Sequence, residues 1–154
     1  LLTLPGLHAK VYIFDNAFRR GSTNPRLLYP TEEKLRSLLT HEYLHAHDEY
    51  FGIFASDKLK IDRSNYLAID PEVRTFAMEV RAYLGQIEYT KRFGINHPAY
   101  LYTLDSFHAY LSQNKDLAKE FTNPYEKEFI DFYSEKIRGV SDEISRVNKL
   151  LLDR

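Results

Sequence analysis

Residues 31–52 read TEEKLRSLLTHEYLHAHDEYFG, and the rest of the chain is best read outward from them. Thr31 suits an N-cap, and Glu32 and Glu33 suit the positive end of a helix. Gly52 supplies a stop, so the sequence predicts one helix from Thr31 to about Phe51. Leu38, Leu39, Tyr43 and Ala46 are the side chains expected to bury it. Inside it, residues 41–45 are His-Glu-Tyr-Leu-His, an H-E-x-x-H motif in the helical context that the motif requires. Residues four apart share a helix face, so His41 and His45 can hold one metal ion between their imidazoles. Glu42 is turned by about 100° from His41 and can reach water at that metal. A carboxylate there can take a proton and later pass it to a leaving amine. From this composition, chance supplies the motif about 0.02 times per chain. The competing reading is a pair of histidines on a partly buried helix that make ordinary hydrogen bonds.

Upstream, Ala9–Phe14 is β-branched and aromatic and is expected to form a strand, followed by a loop over Asp15–Pro30. Downstream, Lys58–Ile61 and Tyr66–Ile69 each suit a short strand or a helical turn. Asp70-Pro71 opens a helix to about Phe93, closed by Gly94. Asn96-His97-Pro98 opens a third helix, to about Gln113, and Asn123-Pro124 a fourth. The expected class is α+β and mainly helical, one domain over 1–154. In the last helix Ile130, Tyr133, Ile137, Val140, Ile144, Val147 and Leu151 alternate spacings of three and four, an a/d seam. A helix from Pro124 to about Leu152 runs roughly 40 Å, so the seam needs a cover. The chain's own helices are the nearest cover. For the far end, the expectation is a bend near Gly139 or a homodimer contact.

A catalytic zinc takes three protein ligands and keeps one position open. The long H-E-x-x-H-x-x-G-x-x-H form fails, because Asp48 and Phe51 stand where its glycine and last histidine belong. The Pro71–Phe93 helix offers Glu72, Glu79 and Glu88. Glu72 suits the first turn on dipole grounds alone, and Glu88 lies near the far end. Glu79 is central, between Met78 and Val80, where a buried carboxylate needs a partner. Glu79 is therefore the favoured third ligand, with Glu72 and Glu88 left open.

With these residues the chain resembles the gluzincins, zinc metallopeptidases with H-E-x-x-H on one helix and a glutamate ligand on a later one. Glu79-Val-Arg-Ala82 fits that family's second pattern better than Glu72-Val-Arg-Thr75 or Glu88-Tyr-Thr-Lys91. The resemblance covers roughly residues 9–93. It implies a minimal zincin-like core, with a small sheet over the active-site helix and Ala9–Phe14 as one of its strands. It implies Zn2+ as cofactor, a peptide or protein substrate and Glu42 as general base. A catalytically silent zincin-like binding or regulatory domain is the alternative.

Asp48 shares the face of His41 and His45 and is expected either to orient a ligand imidazole or to sit solvated near the helix end. His47 points away and is not expected to be a ligand. For the oxyanion donor Tyr83 is the first candidate, one turn after Glu79, followed by His97, Tyr100, Tyr102 and His108. The formal charge of -1 offers no electrostatic footprint for nucleic acid. No apolar run is long enough to span a membrane. Cysteine is absent, which excludes disulfides and thiolate sites and leaves the compartment open. Pro5 and Gly6 break Leu1–Leu7, so that stretch does not read as a signal peptide.

Overall fold

The computed structural model describes residues 31–117 and 121–152. Four helices dominate: α1 (Thr31–Phe51), α2 (Pro71–Lys91), α3 (Pro98–Gln113) and α4 (Pro124–Leu152). Between α1 and α2 lie β1 (Ile53–Phe54), β2 (Lys60–Ile61) and a single 3-10 turn, Tyr66–Ala68. The strands pair antiparallel, with Ile53 opposite Ile61 and Phe54 opposite Lys60. The class is thus α+β and mainly helical. Of the two ambiguous stretches, Lys58–Ile61 supplies a strand and Tyr66–Ile69 a helical turn. The expected Ala9–Phe14 strand and Asp15–Pro30 loop lie outside the described residues.

Local chemistry explains the boundaries. The Asp70 side chain accepts a hydrogen bond from Glu72 N at 2.8 Å, and Pro71 follows where no N–H is needed. The buried Glu126 carboxylate accepts from Asp70 N at 2.9 Å, tying the start of α4 to the start of α2. His97 Nδ1 accepts from Ala99 N at 3.2 Å and caps α3, while Asn123 Oδ1 accepts from Tyr125 N at 3.0 Å at the head of α4. Helix α2 stops at Lys91, two residues short of the expected end, and the chain turns through Gly94 at φ +110°.

Gly52 is required where it stands. Its φ is +91°, and a Cβ built there would lie 2.5 Å from the backbone oxygen of Ile61. Only glycine lets the chain leave α1 at this angle and enter β1. Gly52→Ala is expected to destabilise the fold by about 2 kcal/mol, from strain in the left-handed region plus a clash with backbone that cannot rotate away. Chemical denaturation checks this, and a change below about 0.5 kcal/mol, the range of ordinary surface substitutions, counts against it.

Helix α2 packs against each of the other three helices. Val73, Ala77 and Val80 of α2 are fully buried, together with Tyr100, Leu104 and Phe107 of α3 and Phe129, Ile130 and Tyr133 of α4. Ile53, Leu59 and Ile61 close the core under the small sheet. The a/d seam of α4 belongs to this core. Ile144 and Val147 are 5% and 1% exposed within the single chain, and the helix continues unbroken through Gly139. Beside them Glu143 accepts from the Tyr100 hydroxyl at 2.6 Å and pairs with Lys91 at 3.0 Å, holding the far part of α4 onto α2 and α3. The cover is therefore internal, and neither the bend nor a second chain is needed as far as Val147. The side chain of Leu151 lies outside those described. No helix among the described residues is long and apolar enough to cross a membrane.

Helix α1 is different. The side chains it buries most deeply are polar: Lys34, Ser37, His41 and Asp48. Leu38, Leu39, Tyr43 and Ala46, expected to bury it, are only half-buried. A buried polar seam is a weak source of stability compared with an apolar one.

Candidate metal centre

Helices α1 and α2 run antiparallel, Ser37 lying beside Gln86 and His45 beside Glu79. Small residues let them approach. Ala82 is completely buried, and a Cβ built on Gly85 would lie 2.3 Å from Leu44 Cδ1. With this close approach, short side chains can bridge the helices. Ser37, His41 and His45 stand at successive four-residue steps on α1, and Glu79 and Gln86 two turns apart on α2, so the two polar rows face each other.

Two imidazole nitrogens and the two oxygens of one carboxylate converge there. His41 Nε2 and His45 Nε2 are 3.0 Å apart. Glu79 Oε2 lies 3.4 Å from the first and Glu79 Oε1 3.3 Å from the second. Among the described residues this is the group of histidine, aspartate and glutamate side chains that could hold a metal ion. The fit can be tested on the edges of the triangle. Four ligands at about 2.0–2.1 Å around a tetrahedral ion stand about 3.3–3.4 Å from one another. The two nitrogen–oxygen edges, each to its own Glu79 oxygen, match that spacing, and the nitrogen–nitrogen edge at 3.0 Å is shorter, so the two rings would have to part slightly around an ion. The side chains are 11%, 20% and 28% exposed for His41, His45 and Glu79, so the group is sheltered yet reachable from solvent.

Electrostatics agree with a cation-seeking site. Burial alone would raise the Glu79 carboxyl, but the two imidazoles beside it, His41 and His45, outweigh that and hold the pKa down to about 2. His45 is raised, chiefly by its hydrogen bond to Glu79, against the opposing effect of burial. The charges of Glu42 and Asp48 add to the rise.

The sequence candidates divide cleanly. His41, His45 and Glu79 come together, whereas Glu72 and Glu88 are exposed and outside the group. Glu42 is exposed beside His41, and its charge is felt at His45. The Tyr83 ring sits edge-on to His41 at 4.8 Å and stacks on Phe107 at 5.2 Å. Burial, then the charge of Glu79, pushes its hydroxyl pKa up, so the phenol keeps its proton and remains a donor. Tyr102 lies near enough to add to that rise. His97 pairs with Glu33 at 3.3 Å, two turns of α1 before His41, and Tyr100 is committed to Glu143. His108 is exposed on α3.

Asp48 fits neither expectation. Its side chain is fully buried, and its Oδ1 meets Arg81 Nε at 2.8 Å and His47 Nδ1 at 3.2 Å rather than a ligand imidazole. Burial raises its pKa by more than Arg81 and His47 lower it. His47 faces Phe51 and Asp48, away from the metal group, as its position on the helix implies.

Three neighbours were not legible in advance. Gln86 Oε1 lies 3.1 Å from His41 Nδ1, and its Nε2 donates to Ser37 Oγ at 2.6 Å. The Tyr110 ring lies 5.7 Å from that of Tyr83. The available signal was spacing: Ser37 is one turn before His41, and Gln86 two turns after Glu79. No family model, curated protein or solved structure matches the chain.

Proposed function

We propose that this chain is a zinc metallopeptidase domain of the gluzincin type, with His41, His45 and Glu79 as metal ligands and Glu42 as general base. The observation that carries the reading is the convergence of two Nε2 atoms and the Glu79 carboxylate, drawn from two helices, with both nitrogen–oxygen edges at the lengths of a tetrahedral ligand set. Proton counting supports it. With His41 Nδ1 facing an acceptor oxygen, a neutral His41 offers only a lone pair at Nε2. A neutral His45 then brings at most one Nε2 proton, shared between its two edges, and the edge between His41 Nε2 and Glu79 Oε2 has none. A divalent ion among them satisfies all three, which ordinary hydrogen bonding does not.

When bound, zinc supplies a Lewis acid that polarises the scissile carbonyl and lowers the pKa of water. The protein's own groups do the rest. Glu42 takes a proton from the attacking water as the new C–O bond forms. It delivers that proton to the amine nitrogen as the C–N bond breaks. The protonated Tyr83 phenol is the candidate donor to the carbonyl oxygen as negative charge gathers there. The partner this chemistry requires is a peptide or protein substrate.

Protein purified without chelator is expected to carry close to one zinc per chain by elemental analysis, and to lose it to a strong chelator. A preparation that carries no zinc and takes up none at micromolar concentration would end this reading.

A further inference from the structure

Gln86 is 4% exposed and Ser37 0% exposed, and both lie on the seam between α1 and α2. The amide has a partner at each end. Its Nε2 donates to Ser37 Oγ at 2.6 Å, which leaves Oε1 as the atom that meets His41 Nδ1 at 3.1 Å. The flipped amide, with Ser37 donating to Oε1, would place the imidazole proton on His41 Nε2; with the amide in this orientation a carbonyl oxygen, which only accepts, faces His41, so Nδ1 carries the proton. In a neutral ring Nε2 is then the bare lone pair, and Nε2 is the atom that faces His45 and Glu79. His45 has no such support: its Nδ1 is buried without a hydrogen-bond partner among the described residues.

We infer that Gln86, held by Ser37, is a positioning residue that locks His41 in the Nδ1–H tautomer with its Nε2 lone pair aimed at the metal locus. The inference rests on the metal-site reading above and adds to it an asymmetry. His41 is the pre-set ligand, and His45 and Glu79 complete the site around it. A neutral amide at this position adds no negative charge beside the ligands. A bound ion therefore keeps more of its electron-withdrawing strength than it would behind a carboxylate partner. Pre-setting also lowers the cost of binding, because the ring need not exchange tautomers or search rotamers.

The test uses Gln86→Leu, which removes the acceptor, Gln86→Glu, which keeps one, and Ser37→Ala, which frees the amide to rotate. The first readout is ring-nitrogen NMR of His41 in metal-free protein, at a pH where imidazoles are neutral. Wild type and Gln86→Glu are expected to show the proton on Nδ1, Gln86→Leu to show it moved to Nε2, and Ser37→Ala a mixture. The second readout is zinc affinity by competition with a chromophoric chelator. Gln86→Leu should lose about 10–100-fold, the range for removal of such outer partners, while Gln86→Glu stays near wild type. A role in packing alone predicts that both Gln86 variants behave alike, and that result overturns the inference. So does a wild-type His41 protonated on Nε2. If wild type binds zinc and Gln86→Leu binds it equally well, the inference fails and the metal site stands. If wild type binds no zinc but the tautomer follows Gln86, the positioning role stands and the metallopeptidase reading fails. Should Gln86→Leu not fold, Ser37→Ala carries the same decision, with an unmixed Nδ1–H signal as the overturning result.

Discussion

Glu79→Ala is expected to lower zinc affinity by at least about 100-fold, beyond the range for losing an outer-shell partner. Glu88→Ala should leave affinity unchanged. Both residues lie on α2, but Glu79 approaches both histidines within hydrogen-bonding range while Glu88 is exposed elsewhere on the helix. Removing Glu79 takes away the only carboxylate in the ligand group and leaves two imidazoles, too few for a catalytic zinc. The loss should also appear as stability. A ligand at 100 times its dissociation constant stabilises the native state by about 2.7 kcal/mol, and at the same zinc concentration a Glu79 variant weakened 100-fold should keep only about 0.4 kcal/mol of it. Thermal unfolding with and without zinc measures the difference, and competition titration measures the affinity itself. Equal zinc-dependent stabilisation in wild type and Glu79→Ala would show that the third ligand lies elsewhere.

The helix boundaries were legible because they are set locally. Asp70-Pro71, His97-Pro98 and Asn123-Pro124 place a cap and a proline next to each other at the starts of α2, α3 and α4. Gly52 and Gly94 mark exits with positive φ that other residues resist. The convergence of His41, His45 and Glu79 was legible for a related reason. H-E-x-x-H sets two imidazoles on one face by helical geometry, and Glu79 was the one candidate carboxylate set centrally among apolar neighbours.

What was not legible depends on which face of one helix meets which face of another. The buried face of α1 is Lys34, Ser37, His41 and Asp48, and no composition rule predicts that half-buried leucines flank it. Asp48 illustrates the difficulty. Its register on α1 matches the ligand face, but Arg81 reaches it from α2 and takes its Oδ1. Gln86 was missed because an amide in a helix interior is unremarkable until Gly85 and Ala82 let the opposite helix come close. The α4 seam was read correctly as a seam. Its cover depended on the packing of α2 and α3 beneath Ile144 and Val147, which spacing along α4 does not encode.

Glu42→Gln should reduce peptide hydrolysis by about 10²–10⁴-fold, the usual contribution of a positioned general base, while zinc content stays at the wild-type level. The substitution is close to isosteric and the side chain is exposed, so it removes a proton acceptor without opening a cavity or stranding a buried partner. Its one expected side effect is small: Glu42 contributes to the raised pKa of His45, so the variant should bind zinc at a slightly lower pH than wild type. A broad fluorogenic peptide mixture is the suitable substrate, since the side chains that select sequence are not needed for the comparison. Chelation should abolish hydrolysis in wild type, and added zinc should restore it there but not in Glu42→Gln. Three outcomes separate the functional readings. Hydrolysis that needs both zinc and Glu42 supports the peptidase. Stoichiometric zinc with no hydrolysis in wild type supports a catalytically silent domain built on the same ligand set. Zinc-dependent hydrolysis that survives in Glu42→Gln means that another group moves the proton. Tyr83→Phe is then the next variant, because that phenol is the protonated group beside His41.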